Sequence, residues 1–394
     1  MMKKENTRET DILYKGTRVK KIARTPETLP LYLTTAFNVD DLTDLKNRYK
    51  EQGYTYIRTR NPNRNALSEL VTYLEKGQNS IVCSSGMAAI STTLLTTCHS
   101  GDHIIADHTL YGESIDLLEK LKTYDVSVTF VNITDLDEVE KAFTKHTVAV
   151  YTETISNPMI NTIDIKKIAA LTHEHQGQLI IDNTFATSYL LSPLAQGADI
   201  VVNSLTKFAN GHSDVCLGSV TGSNEFIKKA YDLQVLLGTT AAPFDAWLCE
   251  RGMRTMDLRV KKQSDNALEL AKFLENSKFV KKVHYIGLVN HSQHQLAKKQ
   301  FSNGYGGMLS FELPENEPLL DKFLNKLTFV HYAMTLGGYR TTVSHPATSS
   351  HYDMPRDERL KLGITDGLLR VSVGIENVND LIEDFKNALT VYDV

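Results

Sequence analysis

The chain has 394 residues, with 43 Lys and Arg, 47 Asp and Glu, and a formal net charge of -4 at pH 7. These values are typical of a water-soluble protein that is long enough for two domains with a substantial core. No basic tract suggests nucleic acid or an anionic membrane surface as a partner, and no apolar run approaches membrane-spanning length. Residues 1–6 contain no apolar stretch, so we expect no secretory signal and a cytoplasmic location.

The cysteines and histidines give no indication of a metal centre or of a disulfide framework. None of the four cysteines is at Cys-x-x-Cys spacing. Three histidines lie between positions 99 and 108, but their spacing matches no metal-binding motif. We therefore expect free thiols and no metal site.

The first two thirds of the chain predict an extended arm followed by an α/β domain. Residues 1–57 carry no sustained periodicity and are predicted to form an extended N-terminal arm. Residues 58–255 contain short apolar runs with amphipathic segments between most of them, which predicts a mostly parallel sheet covered by helices on both faces. The runs that we assign to strands are 81–83, 103–106, 126–131, 148–151, 179–181, 200–202 and 217–220.

The pattern changes in the last third of the chain. A long helix is predicted around residues 267–274, because apolar side chains recur there at helical spacing. Strands are predicted near 280–285, 305–312, 328–333 and 368–373, and a closing helix near 378–391. Residues 256–394 are therefore predicted to form a smaller α+β domain.

The segment 201–212 carries the most informative lysine of the chain. An apolar strand end runs into Ser204 and Thr206, and Lys207 follows directly. The hydroxyls can bind phosphate oxygens while the amine forms a Schiff base with an aldehyde, which is the chemistry of pyridoxal phosphate (PLP). A lysine after a strand is also commonly a solvated loop residue, so the segment alone leaves both interpretations open.

Other polar residues follow predicted strands, at the edge where ligands of open α/β sheets bind. Asp182 can keep a pyridine nitrogen protonated, or it can cap a turn. Gly86 lets backbone amides approach a phosphate, although it also suits an ordinary strand-to-helix turn. Tyr111 can stack on a cofactor ring or simply pack, and Asn157, before Pro158, is first a turn signal and second a hydrogen-bond donor.

Taken in order, these motifs resemble the Cys/Met-metabolism family of PLP-dependent enzymes. The resemblance covers nearly the whole chain, from residues 54–62 (YTYIRTRNP) to residues 369–374 (LRVSVG). The family includes cystathionine γ-lyase, cystathionine β-lyase, methionine γ-lyase, cystathionine γ-synthase and O-acetylhomoserine sulfhydrylase. The resemblance implies an aspartate-aminotransferase-like fold (fold type I), that is, α/β with a mostly parallel seven-stranded sheet. It also implies a homodimer, generally paired into a tetramer, with each active site shared across the dimer.

The resemblance assigns roles to individual residues. Lys207 matches the Schiff-base lysine, Asp182 the partner of the pyridine nitrogen, and Tyr111 the tyrosine that stacks on the cofactor and assists proton transfer. The remaining residues that the resemblance places around the cofactor are Ser204, Thr206, Gly86, Met87 and Asn157, together with Tyr56 and Arg58 from the neighbouring subunit.

The substrate side resembles the family less closely. Arg370 matches the arginine that binds the substrate α-carboxylate, and Thr335 falls where the family usually has a serine. The family commonly has Gly or Cys where this chain has Glu113, and Glu where it has Arg340. The opposite signs suggest a compensating ion pair across the substrate entrance; alternatively, both side chains point to solvent. The cysteine of the methionine lyases is absent here, because Glu113 stands at its position. Its absence weakens an assignment to methionine as the specific substrate.

The predicted function is that of a C–S lyase of sulfur amino acid metabolism, acting on cystathionine, methionine, homocysteine or cysteine by α,β- or α,γ-elimination. Lys207 would remove the α-proton and Tyr111 would protonate the leaving sulfur. One alternative is γ-replacement on an activated homoserine ester by the same cofactor chemistry. Another is a cofactor-binding protein with a regulatory or scaffolding role, against which the intact Lys207, Asp182 and Arg370 argue.

Overall fold

The computed structural model of the chain describes residues 7–15 and 26–393. Its helices are α1 (Arg8–Tyr14), α2 (Leu42–Lys50), α3 (Pro62–Glu75), α4 (Gly86–Thr97), α5 (Gly112–Leu121), α6 (Leu136–Ala142), α7 (Ile165–Glu174), α8 (Thr187–Leu190), α9 (Asn224–Leu237), α10 (Pro243–Met253), α11 (Met256–Glu275), α12 (His294–Gln300), α13 (Glu317–Lys326), α14 (Arg356–Lys361) and α15 (Val378–Leu389). Its strands are β1 (Asn79–Cys83), β2 (His103–Asp107), β3 (Ser127–Val131), β4 (Thr147–Glu153), β5 (Gln178–Asp182), β6 (Ile200–Ser204), β7 (Gly218–Gly222), β8 (Lys282–His284), β9 (Met308–Glu312), β10 (His331–Tyr332), β11 (Thr342–Ser344) and β12 (Leu368–Ser372).

The first seven strands form one sheet in the order β1-β7-β6-β5-β4-β2-β3. The pairs β2–β3, β2–β4, β4–β5 and β5–β6 are parallel, whereas β7 runs antiparallel to both β1 and β6. All seven predicted apolar runs overlap these strands. The predicted α/β fold with a mostly parallel seven-stranded sheet is therefore confirmed.

Helices cover both faces of this sheet. Successive side chains of a strand point to opposite faces, so the apolar residues of each strand divide between two cores. Ile105 and Val150 lie in one core with residues of α3, α7 and α11, while their neighbours Ile104 and Ala149 lie in a second core with residues of α4, α5 and α9. Burial on both faces explains why the strands appear as continuous apolar runs rather than as alternating ones. The carboxyl ends of β4, β5 and β6 consequently share one edge of a rigid layer.

The C-terminal part forms a second, smaller sheet in the order β10-β11-β12-β9-β8, antiparallel except for β10–β11. A third core, formed by buried residues between 267 and 389, packs this sheet against α11, α13 and α15. The four strands predicted for this region overlap β8, β9, β10 and β12. Strand β11 was not predicted, because its three residues are too few to show a pattern of their own.

The N-terminal arm contains more helix than the sequence predicts. Within residues 7–15 and 26–57, where an extended conformation was expected, the chain forms α1 and α2. None of the nine residues of α2 is buried, so no apolar periodicity marks it. Its start is marked instead by Asp41, which accepts hydrogen bonds from the amides of Thr43 (2.7 Å) and Asp44 (2.8 Å). The rest of the predicted arm, residues 1–6 and 16–25, lies outside the described residues.

Over residues 7–15 and 26–393, no helix combines the length and the apolar character that a membrane span requires.

Candidate active site

Lys207 lies in a loop that starts where β6 ends. Its amide donates to the carbonyl of Ser204 (3.2 Å), and its own carbonyl accepts from the amide of Gly211 (2.8 Å), so both sides of the lysine are held by the backbone. Burial lowers the pKa of the Lys207 ammonium, and the positive charge of Arg370 lowers it further. A lower pKa increases the neutral fraction of the amine, which is the form that attacks an aldehyde or accepts a proton.

Arg259 supports the other side of this loop. From α11, its buried guanidinium donates to the carbonyls of Phe208 (2.9 Å), Ala209 (3.0 Å) and Gly252 (2.8 Å). Arg259 was not predicted to belong to the site. The helix was predicted only around residues 267–274, whereas α11 already starts at Met256 and so includes Arg259. It fixes the lysine loop against the start of the C-terminal part.

The amides at the start of α4 form a cradle next to Ser204. The Ser85 hydroxyl caps the helix by accepting from the amide of Ala88 (3.0 Å), while none of the described residues accepts a hydrogen bond from the amides of Gly86 and Met87. A Cβ at Gly86 would lie 2.8 Å from the Ser204 Cβ and 2.9 Å from its hydroxyl. Two free amides and a hydroxyl therefore converge at the positive end of a helix, an arrangement that suits a phosphate.

Thr206 has a different environment from Ser204. Its hydroxyl donates to the carbonyl of Leu217 (3.2 Å) and accepts from the amide of Leu217 (3.0 Å). The hydroxyl proton of Thr206 is thus used within the chain, where it ties the lysine loop to the residue that precedes β7. Of the two predicted phosphate ligands, Ser204 is the one that the fold places against the cradle.

Three carboxyl groups end three neighbouring strands: Asp107 on β2, Glu153 on β4 and Asp182 on β5. Burial raises the pKa of Asp182, and only Thr184 opposes this, its amide donating to the carboxylate at 2.9 Å. Burial and the adjacent charge of Asp182 raise the pKa of Glu153 well above its usual range. A protonated pyridine nitrogen beside Asp182 would relieve this crowding of negative charge.

Tyr111 lies directly before α5, and 39% of its surface is exposed. Partial burial, together with the neighbouring carboxylate of Glu113, raises the pKa of its hydroxyl to about 12. Tyr111 therefore keeps its proton at neutral pH and can donate it. Its backbone amide donates to Glu153 Oε1 at 2.8 Å, which connects it to the end of β4.

The predicted ion pair between Glu113 and Arg340 is not formed. Of the ion pairs within 4.0 Å among the described residues, none joins these two side chains. The Arg340 guanidinium lies over the ring of Tyr339, 5.1 Å from its centroid. The Glu113 carboxylate lies near the hydroxyl of Tyr111 instead and helps to raise its pKa. Both side chains belong to exposed residues, where ion pairing gains little against solvation.

Arg370 reaches the site from β12 of the smaller sheet. It is 6% exposed, and its Nη1 donates to the side-chain oxygen of Asn157 at 2.9 Å. Burial lowers the pKa of Arg370 to about 10, so it remains a cation at neutral pH. The two residues, 213 positions apart in sequence, are thus brought together by the fold.

The segment 335–340 packs directly on the lysine loop. Gly337, in the left-handed region with a φ of +79°, comes so close that a Cβ would lie 2.5 Å from the amide nitrogen of Phe208 and 3.0 Å from the Lys207 Cα. Only glycine fits such an approach. The Thr335 carbonyl accepts from the hydroxyl of Thr342 (3.2 Å), which fixes the start of the segment. Thr335 thus lies two residues before the glycine that packs on Lys207.

Among the described residues, no hydrogen bond, ion pair or ring contact joins Tyr56 or Arg58 to the site residues named above. Tyr56 is 42% exposed, and Arg58 lies over its ring and donates to the carbonyl of Val235 (2.7 Å). Both side chains remain on the surface of the chain.

The residues present fit PLP. A cradle for a phosphate, formed by Gly86, Met87 and Ser204, adjoins a lysine with a lowered pKa, and a carboxylate that can pair with a pyridinium ends the neighbouring strand at Asp182. Phosphate, aldehyde and ring nitrogen each therefore have a complementary group at one edge of the sheet.

Comparisons with known proteins agree with this fit. The chain is 41% identical over 363 residues to a cystathionine beta-lyase of Lactococcus lactis subsp. cremoris (strain MG1363), covering 92% of this chain and 93% of that protein. It is 43% identical over 339 residues to a cystathionine gamma-lyase of Bacillus subtilis (strain 168), covering 86% and 89%. A cystathionine gamma synthase structure from Xanthomonas oryzae pv. oryzae superposes with a TM-score of 0.94 at 33% identity, covering 99% of both chains. A sequence profile of one family matches residues 9–390. The chain belongs to the family of Cys/Met metabolism PLP-dependent enzymes.

Proposed function

We propose that the protein is a PLP-dependent C–S lyase that eliminates a thiol from a sulfur amino acid, with cystathionine as the first substrate to test and methionine, homocysteine and cysteine as others. The observation that carries the proposal is the position of Arg370, a buried cation at the lysine loop whose charge lowers the pKa of Lys207. A carboxylate-binding arginine beside a basic lysine suits α-proton removal from an amino acid.

Each side chain of the site has a separate role in the proposed elimination. When bound, PLP supplies an aldehyde that captures the substrate amine and a ring that withdraws electrons from the α-carbon. Arg370 binds the substrate α-carboxylate, and Asn157 holds the guanidinium in place. Lys207 Nζ, whose lowered pKa increases the neutral fraction of the amine, accepts the α-proton. Tyr111 Oη, protonated because its pKa is about 12, donates to the sulfur as the C–S bond breaks, so the thiol leaves neutral.

The alternative is γ-replacement, in which a thiol replaces the acyloxy group of an activated homoserine ester. It is kept because the Xanthomonas oryzae structure, a cystathionine gamma synthase, superposes over 99% of the chain. The same lysine and arginine would serve both reactions.

A panel of substrates separates these possibilities. The holoenzyme is incubated with cystathionine, methionine, homocysteine and cysteine, and separately with O-acetylhomoserine plus cysteine. Pyruvate formed from cystathionine indicates β-elimination, and 2-oxobutyrate indicates γ-elimination. If the thioether forms from O-acetylhomoserine and cysteine faster than pyruvate or 2-oxobutyrate is released, the protein is a transferase and the lyase proposal is wrong. Absence of every product would reject both.

We infer that the chain forms a homodimer, paired into a tetramer, in which Tyr56 and Arg58 reach the cofactor phosphate of the neighbouring subunit and residues 1–57 make intersubunit contacts. The exposure of both side chains supports the inference. Lys207→Ala subunits are mixed with Arg58→Ala subunits and allowed to exchange. Each mixed dimer then holds one intact active site, so activity should rise to that of about one quarter of all sites. No recovery after subunit exchange would argue against shared sites.

A cytoplasmic location completes the proposal. All four cysteines are free thiols, which fits a reducing compartment. Cell fractionation with an antibody against the chain tests the location, and recovery in a secreted fraction would reject it.

A further inference from the structure

Glu153 has no role in the chemistry described so far, although it lies inside the site. It is the last residue of β4 and only 9% exposed. In the parallel pair of β4 and β5 it lies directly opposite Asp182. Its Oε1 accepts a 2.8 Å hydrogen bond from the backbone amide of Tyr111. One buried carboxyl group thus touches the main chain of the proposed acid and adjoins the proposed partner of the pyridine nitrogen.

Glu153 holds the amide side of the Tyr111 backbone, whereas α5 holds the carbonyl side, since the Tyr111 carbonyl accepts from the amides of Ser114 (2.9 Å) and Ile115 (3.2 Å). Tyr111 is the residue before α5, and its side chain provides no cap for the helix. The preceding loop is fixed at its other end by Asp107, which accepts from the amide (2.9 Å) and the hydroxyl (3.0 Å) of Thr109. Without Glu153, the amide of Tyr111, which is bonded to the Cα that carries the side chain, would lose its acceptor.

The surroundings of Glu153 favour its neutral form. Burial and the carboxylates of Asp182 and Asp107 raise its pKa well above the usual range, and only the amide of Tyr111 lowers it. A protonated Glu153 still accepts a hydrogen bond through its carbonyl oxygen and leaves the negative charge to Asp182. What the site requires of residue 153 is therefore an acceptor of the right length.

We propose that Glu153 is a positioning residue, which holds the backbone of Tyr111 at the end of β4 so that the ring stacks on the cofactor bound through Lys207. The inference rests on the proposed function for the roles of Tyr111 and Lys207. It concerns a hydrogen bond within the chain, so it is measured on the holoenzyme before any substrate is added.

The test compares Glu153→Gln with Glu153→Leu. Glutamine has nearly the same shape and provides an uncharged acceptor, whereas leucine removes the acceptor. We expect Glu153→Leu to change the visible circular dichroism of the bound cofactor, to weaken PLP binding about tenfold, and to lower kcat on the order of 10²-fold, because the ring is misplaced. We expect Glu153→Gln to retain the wild-type spectrum. If the spectrum of Glu153→Leu is unchanged, or if Glu153→Gln is as damaged as Glu153→Leu, the proposal is wrong.

Two controls separate positioning from general damage. Asp384, in α15, is a buried carboxylate that also accepts from backbone amides, those of Thr328, Phe329 and Val330. Asp384→Asn should lower the thermal midpoint without changing the cofactor spectrum. In a Tyr111→Ala background, Glu153→Leu should add little further change, since no ring is left to position. A full additional effect there would contradict the proposal. Wild-type holoenzyme that shows the cofactor band but no lyase activity would instead refute the proposed function.

Discussion

The two sides of the site are built differently. The proposed cofactor side, formed by Gly86, Asp182, Ser204 and Lys207, lies at strand ends of the large sheet, and backbone hydrogen bonds or close packing fix each residue. The proposed substrate side, formed by Glu113, Thr335, Arg340 and Arg370, comes from three separate segments. Its only deeply buried member is Arg370. Residues on a rigid sheet edge can hold one cofactor in one pose, while exposed side chains on separate segments can change without disturbing the fold.

The comparison predicts that changes on the cofactor side abolish the chemistry while the fold survives. Lys207→Ala should remove the visible absorption band of the lysine-bound cofactor and lower turnover by about 10⁴-fold, since both the Schiff base and the base are lost. Far-ultraviolet circular dichroism should be unchanged. Lys229→Ala, which removes an exposed lysine paired with Glu225, is the control and should behave as wild type. Retained elimination in Lys207→Ala would overturn the assignment.

Arg370 should give the next largest effect, because it is the buried member of the substrate side. Arg370→Lys keeps a positive charge but loses the planar fork, which costs about 1.5–3 kcal/mol, or on the order of 10–100-fold in kcat/KM. The loss should fall mainly on KM, and the cofactor band should remain. Arg356→Lys, at an exposed arginine that pairs with Asp366 and Glu315, is the matched control. Equal losses in both variants would show that Arg370 has no special role.

A smaller effect, in the pH profile, is expected at Glu113. Partial burial and the carboxylate of Glu113 raise the pKa of Tyr111 to about 12. Removing the negative charge in Glu113→Gln should therefore lower that pKa toward its ordinary value. Tyr111 would then lose its proton at lower pH, and the alkaline limb of kcat should move to lower pH. An alkaline limb that stays in place, or moves upward, would show that Glu113 does not act on the proton of Tyr111.

The smallest expected quantity is the coupling free energy between the two unusual charges. Because Glu113 and Arg340 are not paired, the double variant Glu113→Arg with Arg340→Glu should show the sum of the two single effects on kcat/KM, within about 0.5 kcal/mol. Substrate panels run on the three variants give the measurement. Recovery of wild-type activity in the double variant would instead indicate that the two side chains pair in the working enzyme.

Much of the cofactor side could be predicted because neighbouring strands carry its residues. Asp182 and Ser204 end adjacent parallel strands, so their proximity follows once both runs are recognised as strands. The hydroxyl of Thr206 could not be distinguished from that of Ser204, since its partner, Leu217, lies 11 residues away in sequence. Arg259 and Glu153 were missed because a charged residue in an apolar pattern gives no indication of which backbone groups it meets.

The sequence by itself determined the sheet, because apolar runs are local patterns that can be read without a structure. It determined the cofactor and the family through the resemblance of its ordered motifs, since the lysine segment alone left two interpretations open. The tertiary structure decided which residues meet across long separations. It joined Arg370 to Asn157, placed Gly337 against Lys207 and tied Tyr111 to Glu153. It also separated Glu113 from Arg340, since the Arg340 guanidinium lies on the ring of Tyr339. Such contacts depend on which strands become neighbours and on how the two sheets pack, and no local pattern encodes that arrangement.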